Sequence, residues 1–206
     1  MLNLKSILIA ASVGWATATA AFCADPLTEH QASMTTGARV PQPVGHYYFC
    51  KAYPSECGQT ASVGKTASLT EVAWHVIKEV NANVNGKITQ VTDLEYYGEP
   101  ELWTYPKSAG DCEDFALMKK KELEARGFQE ADLLVTVVKK PDGAGHAILT
   151  VRTSEGDFVL DNLDDRVKRW WQTPYRFEKR QSSLDSAQWV LIEQVEKDVP
   201  VAAVLN

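Results

Sequence analysis

Apolar residues recur at helical spacing from Leu69 onward. Leu69, Val72, Ala73, Val76, Ile77 and Val80 form one stripe, the mark of an amphipathic helix. Ser68, with Glu71 three residues on, reads as its capping box and Asn85-Gly86 as its stop. His75 falls on the polar side with Glu71 and Lys78 and reads as a solvated histidine. A second helix is predicted from Cys112. Asp111 stands at its cap, Phe115, Ala116, Met118 and Leu123 supply the buried face, Lys119-Lys120-Lys121 the solvated one, and Gly127 the stop. The period then falls to two. Leu133–Val138, His146–Arg152, Phe158–Asp161 and Trp189–Ile192 read as strands, with turns at Pro141-Asp142-Gly143 and Ser154–Asp157. Ahead of the first helix, Pro41, Pro43 and Gly45 predict an extended arm over 25–65 rather than a helix. Helices followed by an antiparallel meander make the fold class α+β.

Composition adds a compartment to this picture. The 206 residues are 45% hydrophobic and 23% charged, suited to one globular domain. A net charge of −6 argues against a nucleic-acid or anionic-membrane partner. Lys5 is the only charge before Asp25, Ile7–Ala11 is apolar, and Ala16–Ala21 is built of small residues. Residues 1–24 therefore read as a secretory signal peptide cleaved between Ala20 and Ala24, leaving one domain over 25–206 and a periplasmic or secreted protein. A retained anchor is less well supported, because the apolar stretch is short and diluted with Ala, Thr and Ser. A lipoprotein at Cys23 is opposed by Phe22, where a small residue is wanted. In an oxidising compartment Cys50 and Cys57 read as a local disulfide. Cys112 is the thiol left over.

That thiol sits in Gly110-Asp111-Cys112-Glu113-Asp114-Phe115-Ala116, at a predicted helix start. The partial positive charge and unpaired N–H groups there favour a thiolate and can bind an oxyanion. The competing reading is a small buried hydrophobe, and the acidic flanks oppose ionisation by like-charge repulsion. A nucleophile needs a base and the base an orienting group. His30 lies in the arm, His46 beside the first disulfide cysteine and His75 on a polar helix face. His146 alone opens a strand, after Gly143-Ala144-Gly145, and the returning strand brings Asp161 to the same end of the sheet. The order is Cys112, His146, Asp161. The aromatic stretch holding Tyr96, Tyr97, Trp103 and Tyr105 reads either as a cleft wall or as a lid over the core.

Gly-Asp-Cys112-Glu-Asp-Phe-Ala, the Gly-His146 strand and Val-Leu-Asp161-Asn resemble the bacterial transglutaminase-like cysteine proteinases. So do Phe49-Cys50, Pro54-Ser55-Glu56-Cys57 and the run from Tyr175 to Ser182. The resemblance implies a papain-like or transglutaminase-like core, with the cysteine heading a helix packed on an antiparallel sheet. It implies a Cys112–His146–Asp161 triad that hydrolyses a protein substrate, such as a cell-surface or envelope protein, through a thioacyl intermediate. No cofactor is required by that chemistry. Periplasmic members depend on calcium, and their ligands resemble Asp111 and Glu113, an oxygen set suited to that ion. The competing roles are a helix cap for Asp111 and neutralisation of the helix start for Glu113. Two other functions stay open at this point: a non-catalytic binding module using the aromatic stretch around Trp103 and Tyr105, and a transamidating acyltransferase.

Overall fold

The computed structural model describes residues 31–60 and 66–193. The signal-peptide reading of 1–24 lies outside them. In chain order the elements are β1 (Thr36–Val40), α1 (Val44–Ala52), α2 (Glu71–Lys87), β2 (Thr89–Gln90), α3 (Asp93–Tyr96), β3 (Ala109–Gly110) and α4 (Cys112–Glu124). They continue with β4 (Leu133–Lys139), β5 (Gly145–Thr153), β6 (Gly156–Leu160), β7 (Lys168–Arg169), β8 (Arg176–Gln181) and β9 (Trp189–Ile192). Seven strands form one sheet in the order β1-β9-β8-β4-β5-β6-β7, with every pairing antiparallel. The expected meander holds from β4 to β6, and β7, not expected, continues it. The chain then crosses to the far side of β4, where β8 and β9 extend the sheet.

Strand alternation divides the core in two. Leu133, Val135, Leu149, Val151 and Leu160 join Ile77, Val80, Val84, Phe115, Ala116 and Leu123 of the helices. Val138, Ile148 and Val159 join Met34, Phe177 and Ile192 in a second cluster. Register follows from this: slipping β5 by one residue would exchange its two apolar sets. Helix α4 packs on β4 and β5, and α2 packs on α4. The site's helix is thus held from both sides.

The structure corrects several expectations. Helix α1 replaces the part of the extended arm over Val44–Ala52, because Pro43 stands at its N-cap rather than within it, where proline's fixed φ and missing N–H cost little. Gly45 allows Trp103 to lie on this helix, since a Cβ there would come 2.2 Å from Trp103 Cδ1. Thr70, not Ser68, caps α2, its side chain accepting from Ala73 N–H. The buried face of α2 is Ile77, Val80, Asn81 and Val84, while Val72 is 74% exposed. The stripe is therefore rotated toward the C-terminal half, where α4 lies. Lys119 and Lys120 are buried rather than solvated. Trp103 is only 4% exposed, so the aromatic stretch caps the core around it and offers no Trp103 binding surface. Cys50 and Cys57 form the expected disulfide. Among the described residues, no helix is long and apolar enough to cross a membrane.

Candidate active site

Helix α4 starts at Cys112, its first turn rich in Glu113 and Asp114. The expected cap is absent: Asp111 stands at the N-cap position, but its side chain makes no capping hydrogen bond. Asp111 Oδ2 instead accepts from the backbone N–H of Asp93 at 3.3 Å, the first residue of α3. Asp93 in turn accepts from Leu102 N–H, and Asp114 Oδ1 from Thr104 N–H at 2.9 Å. Carboxylates thus pin the loop from α3 to Thr104 onto the start of α4. Gly110 is required for this approach, because a Cβ there would lie 2.4 Å from Asp114 Oδ2.

The Cys112 thiol is half-buried. It donates to Glu113 Oε2 at 3.2 Å and accepts from Ala147 N–H at 3.3 Å. Ala147 follows His146 on β5, so packing of α4 against this strand brings the thiol to the backbone N–H of the residue after the predicted base. His146 is buried, and its Nε2 lies 2.9 Å from Asp161 Oδ1. The register that pairs Leu149 with Leu160 explains the match: it carries His146 and Asp161 to the same end of the β5–β6 hairpin. Burial pushes the Asp161 carboxyl up, but hydrogen bonds from His146, Tyr175 and Leu163 N–H outweigh it, and the group sits below the usual carboxylate range. A carboxylate only accepts. Nε2 therefore carries the imidazole proton, and Nδ1 remains as the ring's acceptor.

The loop bearing Asp161 is fixed from α2. Asn85 Nδ2 donates to Asp161 O at 2.9 Å and to Asp165 Oδ1 at 2.8 Å. Asn81 Nδ2 donates to the carbonyls of Asp164 and Asp165. The other histidines have different settings. His46 is fully buried beside Trp189 and Gln181, and burial lowers it to about 4, so it is a neutral core residue. His75 is surface-exposed and faces Glu79 at 3.9 Å.

The electrostatics run against a free thiolate. Burial, followed by the charge of Glu113, raises the Cys112 thiol well above its ordinary value, with only Ala147 N–H as a substantial opposing contact. The sequence expectation of an ionised cysteine is not met by the helix terminus alone. Burial and then contact with Asp111 push Glu113 up to about 10, and burial with Asp93 and Asp111 pushes Asp114 up to about 8. Asp93 Oδ1, Asp111 Oδ1 and Asp114 Oδ2 are buried without a hydrogen-bond partner. One carboxylate oxygen from each of these three residues lies within 4.8 Å of the others. A hard cation with oxygen ligands fits this set. Of the two ligands expected from sequence, Asp111 belongs to this group and Glu113 to a neighbouring one with Cys112. Asp93 and Asp114 were not anticipated.

Lys119, two turns from Cys112, is 1% exposed, with its Nζ 5.8 Å from the Phe115 ring centroid. Burial lowers it to about 7, against the opposing pull of Asp161 and Asp165. Between pH 7 and the unfolded value near 10.5, the unfolded chain holds a proton that the folded chain does not. Stability contributed through this group therefore rises with pH across that window. Lys119→Met is expected to melt several degrees above the wild type at pH 6, with the difference shrinking toward pH 10. Thermal denaturation at the two pH values checks it; a constant difference would contradict it.

No curated protein matches the sequence. Among solved structures, the chain is similar to LapG of Legionella pneumophila at 22% identity and a TM-score of 0.47, covering 56% of this chain and 66%, just under two thirds, of that one. The EGTA-treated form of LapG matches at 21% identity and a TM-score of 0.50, over 62% and 70% of the two chains. The calcium-bound form matches at 19% and 0.50, over 65% and 77%. At these identities the likeness to the latter two speaks for the fold alone, a helix packed on an antiparallel sheet. The family described as bacterial transglutaminase-like cysteine proteinase (BTLCP) matches residues 36–197, and the chain belongs to it.

Proposed function

We propose that the protein is an exported cysteine peptidase, periplasmic or secreted, that hydrolyses a protein substrate with Cys112, His146 and Asp161. One observation carries the reading. The Cys112 thiol lies against the N–H of Ala147, and the preceding residue, His146, has its Nε2 fixed by Asp161. In this reading His146 Nδ1 takes the thiol proton as Sγ attacks the substrate's amide carbon. The oxygen becomes an oxyanion that accepts from the Cys112 backbone N–H, a donor left free at the first turn of a helix. The protonated imidazole gives its proton to the departing amine, the C–N bond breaks and a thioester remains. His146 then takes a proton from water, which attacks the thioester and frees the cysteine. Asp161 holds the tautomer and stabilises the imidazolium.

Calcium belongs to the same proposal. Asp93, Asp111, Glu113 and Asp114 would hold it; the unpartnered oxygens of Asp93, Asp111 and Asp114 and the upward-shifted carboxyls of Glu113 and Asp114 support this. When bound, it would supply positive charge beside the thiol, opposing the repulsion from Glu113 and Asp111. Because the carboxylates must lose protons to bind, affinity should rise with pH. Calcium at a hundredfold excess over its dissociation constant is expected to stabilise the fold by about 3 kcal/mol, a rise of several degrees in melting temperature. EGTA should reverse the rise and Asp111→Asn should remove most of it. An unchanged melting temperature with and without calcium would reject the site.

The hydrolytic reading is tested by incubating the purified protein with a peptide library in calcium and identifying new termini by mass spectrometry. Cleavage at a restricted set of bonds is expected. Products joined to an added primary amine, rather than hydrolysed, would place the protein among transamidating acyltransferases instead.

A further inference from the structure

The mechanism leaves one residue at the centre of the site unused. Tyr175 directly precedes β8, and the sheet explains how it arrives. Lys139 of β4 pairs with Gly145 of β5 on one side and with Arg176 of β8 on the other. The residues next to these, His146 and Tyr175, therefore reach the same end of the sheet from two strands apart. Tyr175 is aimed back across that gap. Its hydroxyl donates to Asp161 Oδ2 at 2.5 Å, and its ring lies 5.5 Å from the His146 ring, tilted by 59°.

We propose that Tyr175 is a positioning residue for the peptidase reaction, locking the Asp161 carboxylate through its hydroxyl and the His146 imidazole through its ring. The inference rests on the Cys112–His146–Asp161 reading above. Asp161 Oδ1 is committed to His146 and to Leu163 N–H, which leaves Oδ2 as the handle by which the carboxylate plane is set. Without the tyrosine hydroxyl, Oδ2 faces a buried site with no donor, and the carboxylate gains freedom to turn away from Nε2. Burial and then the bond to Asp161 push the Tyr175 phenol upward, which keeps it a donor over the whole working pH range. A packing residue alone would need neither the hydroxyl nor this orientation: Trp170 also flanks the second cluster, yet its indole N–H bonds Gln31 O and touches no member of the triad.

The test uses iodoacetamide as the probe of Cys112 at fixed pH and calcium. Tyr175→Phe keeps the ring and deletes the hydroxyl. It is expected to slow alkylation about tenfold, the lower end of what a hydrogen bond to a charged group contributes, with little effect on the melting temperature. In an Asp161→Ala background the same substitution should have no further effect, because its route is gone. An unchanged rate in Tyr175→Phe, or an equal slowing in both backgrounds, would overturn the proposal. A spectroscopic readout tests the same role independently. The downfield proton resonance of His146 Nε2–H should move upfield in Tyr175→Phe, as the carboxylate turns away from Nε2. It should stay downfield when 3-fluorotyrosine, which keeps the hydroxyl on a ring of nearly the same shape, is placed at position 175. A resonance that stays in place in both proteins contradicts the role. His146→Ala separates the two levels of the argument. If it leaves alkylation at the wild-type rate, the base assignment itself is wrong; if it slows alkylation and Tyr175→Phe does not, only the role of Tyr175 falls.

Discussion

Cys112→Ala is expected to abolish peptide-bond hydrolysis while preserving the fold. The substitution removes the sulfur that forms the thioester in the proposed mechanism, and that Sγ contacts a carboxylate and a backbone N–H. Its effect on stability should be small. Cys112 is half-buried and donates only a weak S–H bond to Glu113, so deleting one sulfur leaves no charged group newly unpaired. Circular dichroism and calcium-induced stabilisation should match the wild type, while cleavage of a substrate peptide, followed by mass spectrometry, falls to the uncatalysed background. Residual cleavage above that background would mean that some other group is the nucleophile.

Asp161→Asn is expected to cost about 10²- to 10⁴-fold in kcat with a much smaller change in KM. The carboxylate accepts from His146 Nε2, Leu163 N–H and the Tyr175 hydroxyl together, so it fixes which ring nitrogen carries the proton. An amide side chain offers one acceptor and one donor end. With its oxygen at the Oδ1 position, where Leu163 N–H and Nε2 meet, and its NH₂ toward the Tyr175 oxygen, it no longer offers the negative charge that stabilises the imidazolium formed when, in the proposed mechanism, Nδ1 takes the thiol proton. The loop itself should stay in place, because Asn85 holds it through the Asp161 carbonyl rather than through the side chain. Steady-state kinetics of the two proteins decide the point. Equal losses in Asp161→Asn and in a remote surface variant would show that the residue acts only on stability.

How much of this was legible in the sequence depended on whether the governing contacts were local. Strands β4, β5, β6 and β9 were readable because their apolar alternation is set by one sheet and its two cores. The start of α4 was readable from Gly110-Asp111 and the helical spacing after it. His146 and Asp161 could be matched because a two-residue hairpin turn ties their strands into a single register. Strand β8 was missed because its core residues Arg180 and Gln181 are polar. They are buried only by virtue of distant partners: Asp157 for the arginine, and Val135 N–H, Ser186 O and His46 for the glutamine. The lysine run misled for a related reason. Lys119 lies on a helix face that α2 and the Asp161 loop cover, and no local spacing reports that cover. Asp93 did carry a signal, the Thr92-to-Glu95 capping box that opens α3. Nothing along the chain shows that this short helix docks beside Asp111. Tyr175 is 14 residues from Asp161 in sequence and meets it only through the crossover of β8 to the far side of β4.

The account stands most directly on His146 acting as the base for Cys112. The measurement is the second-order rate constant of iodoacetamide with Cys112 in the oxidised protein, compared between wild type and His146→Ala. Cys50 and Cys57 are held in their disulfide, so among the described residues Cys112 is the one free thiol. Buried between carboxylates and deprived of the imidazole, it should remain a thiol and react at least a hundredfold more slowly than in the wild type, since nucleophilic rate follows thiolate content. Equal rates in the two proteins would contradict the assignment, because the thiol would then owe nothing to that histidine.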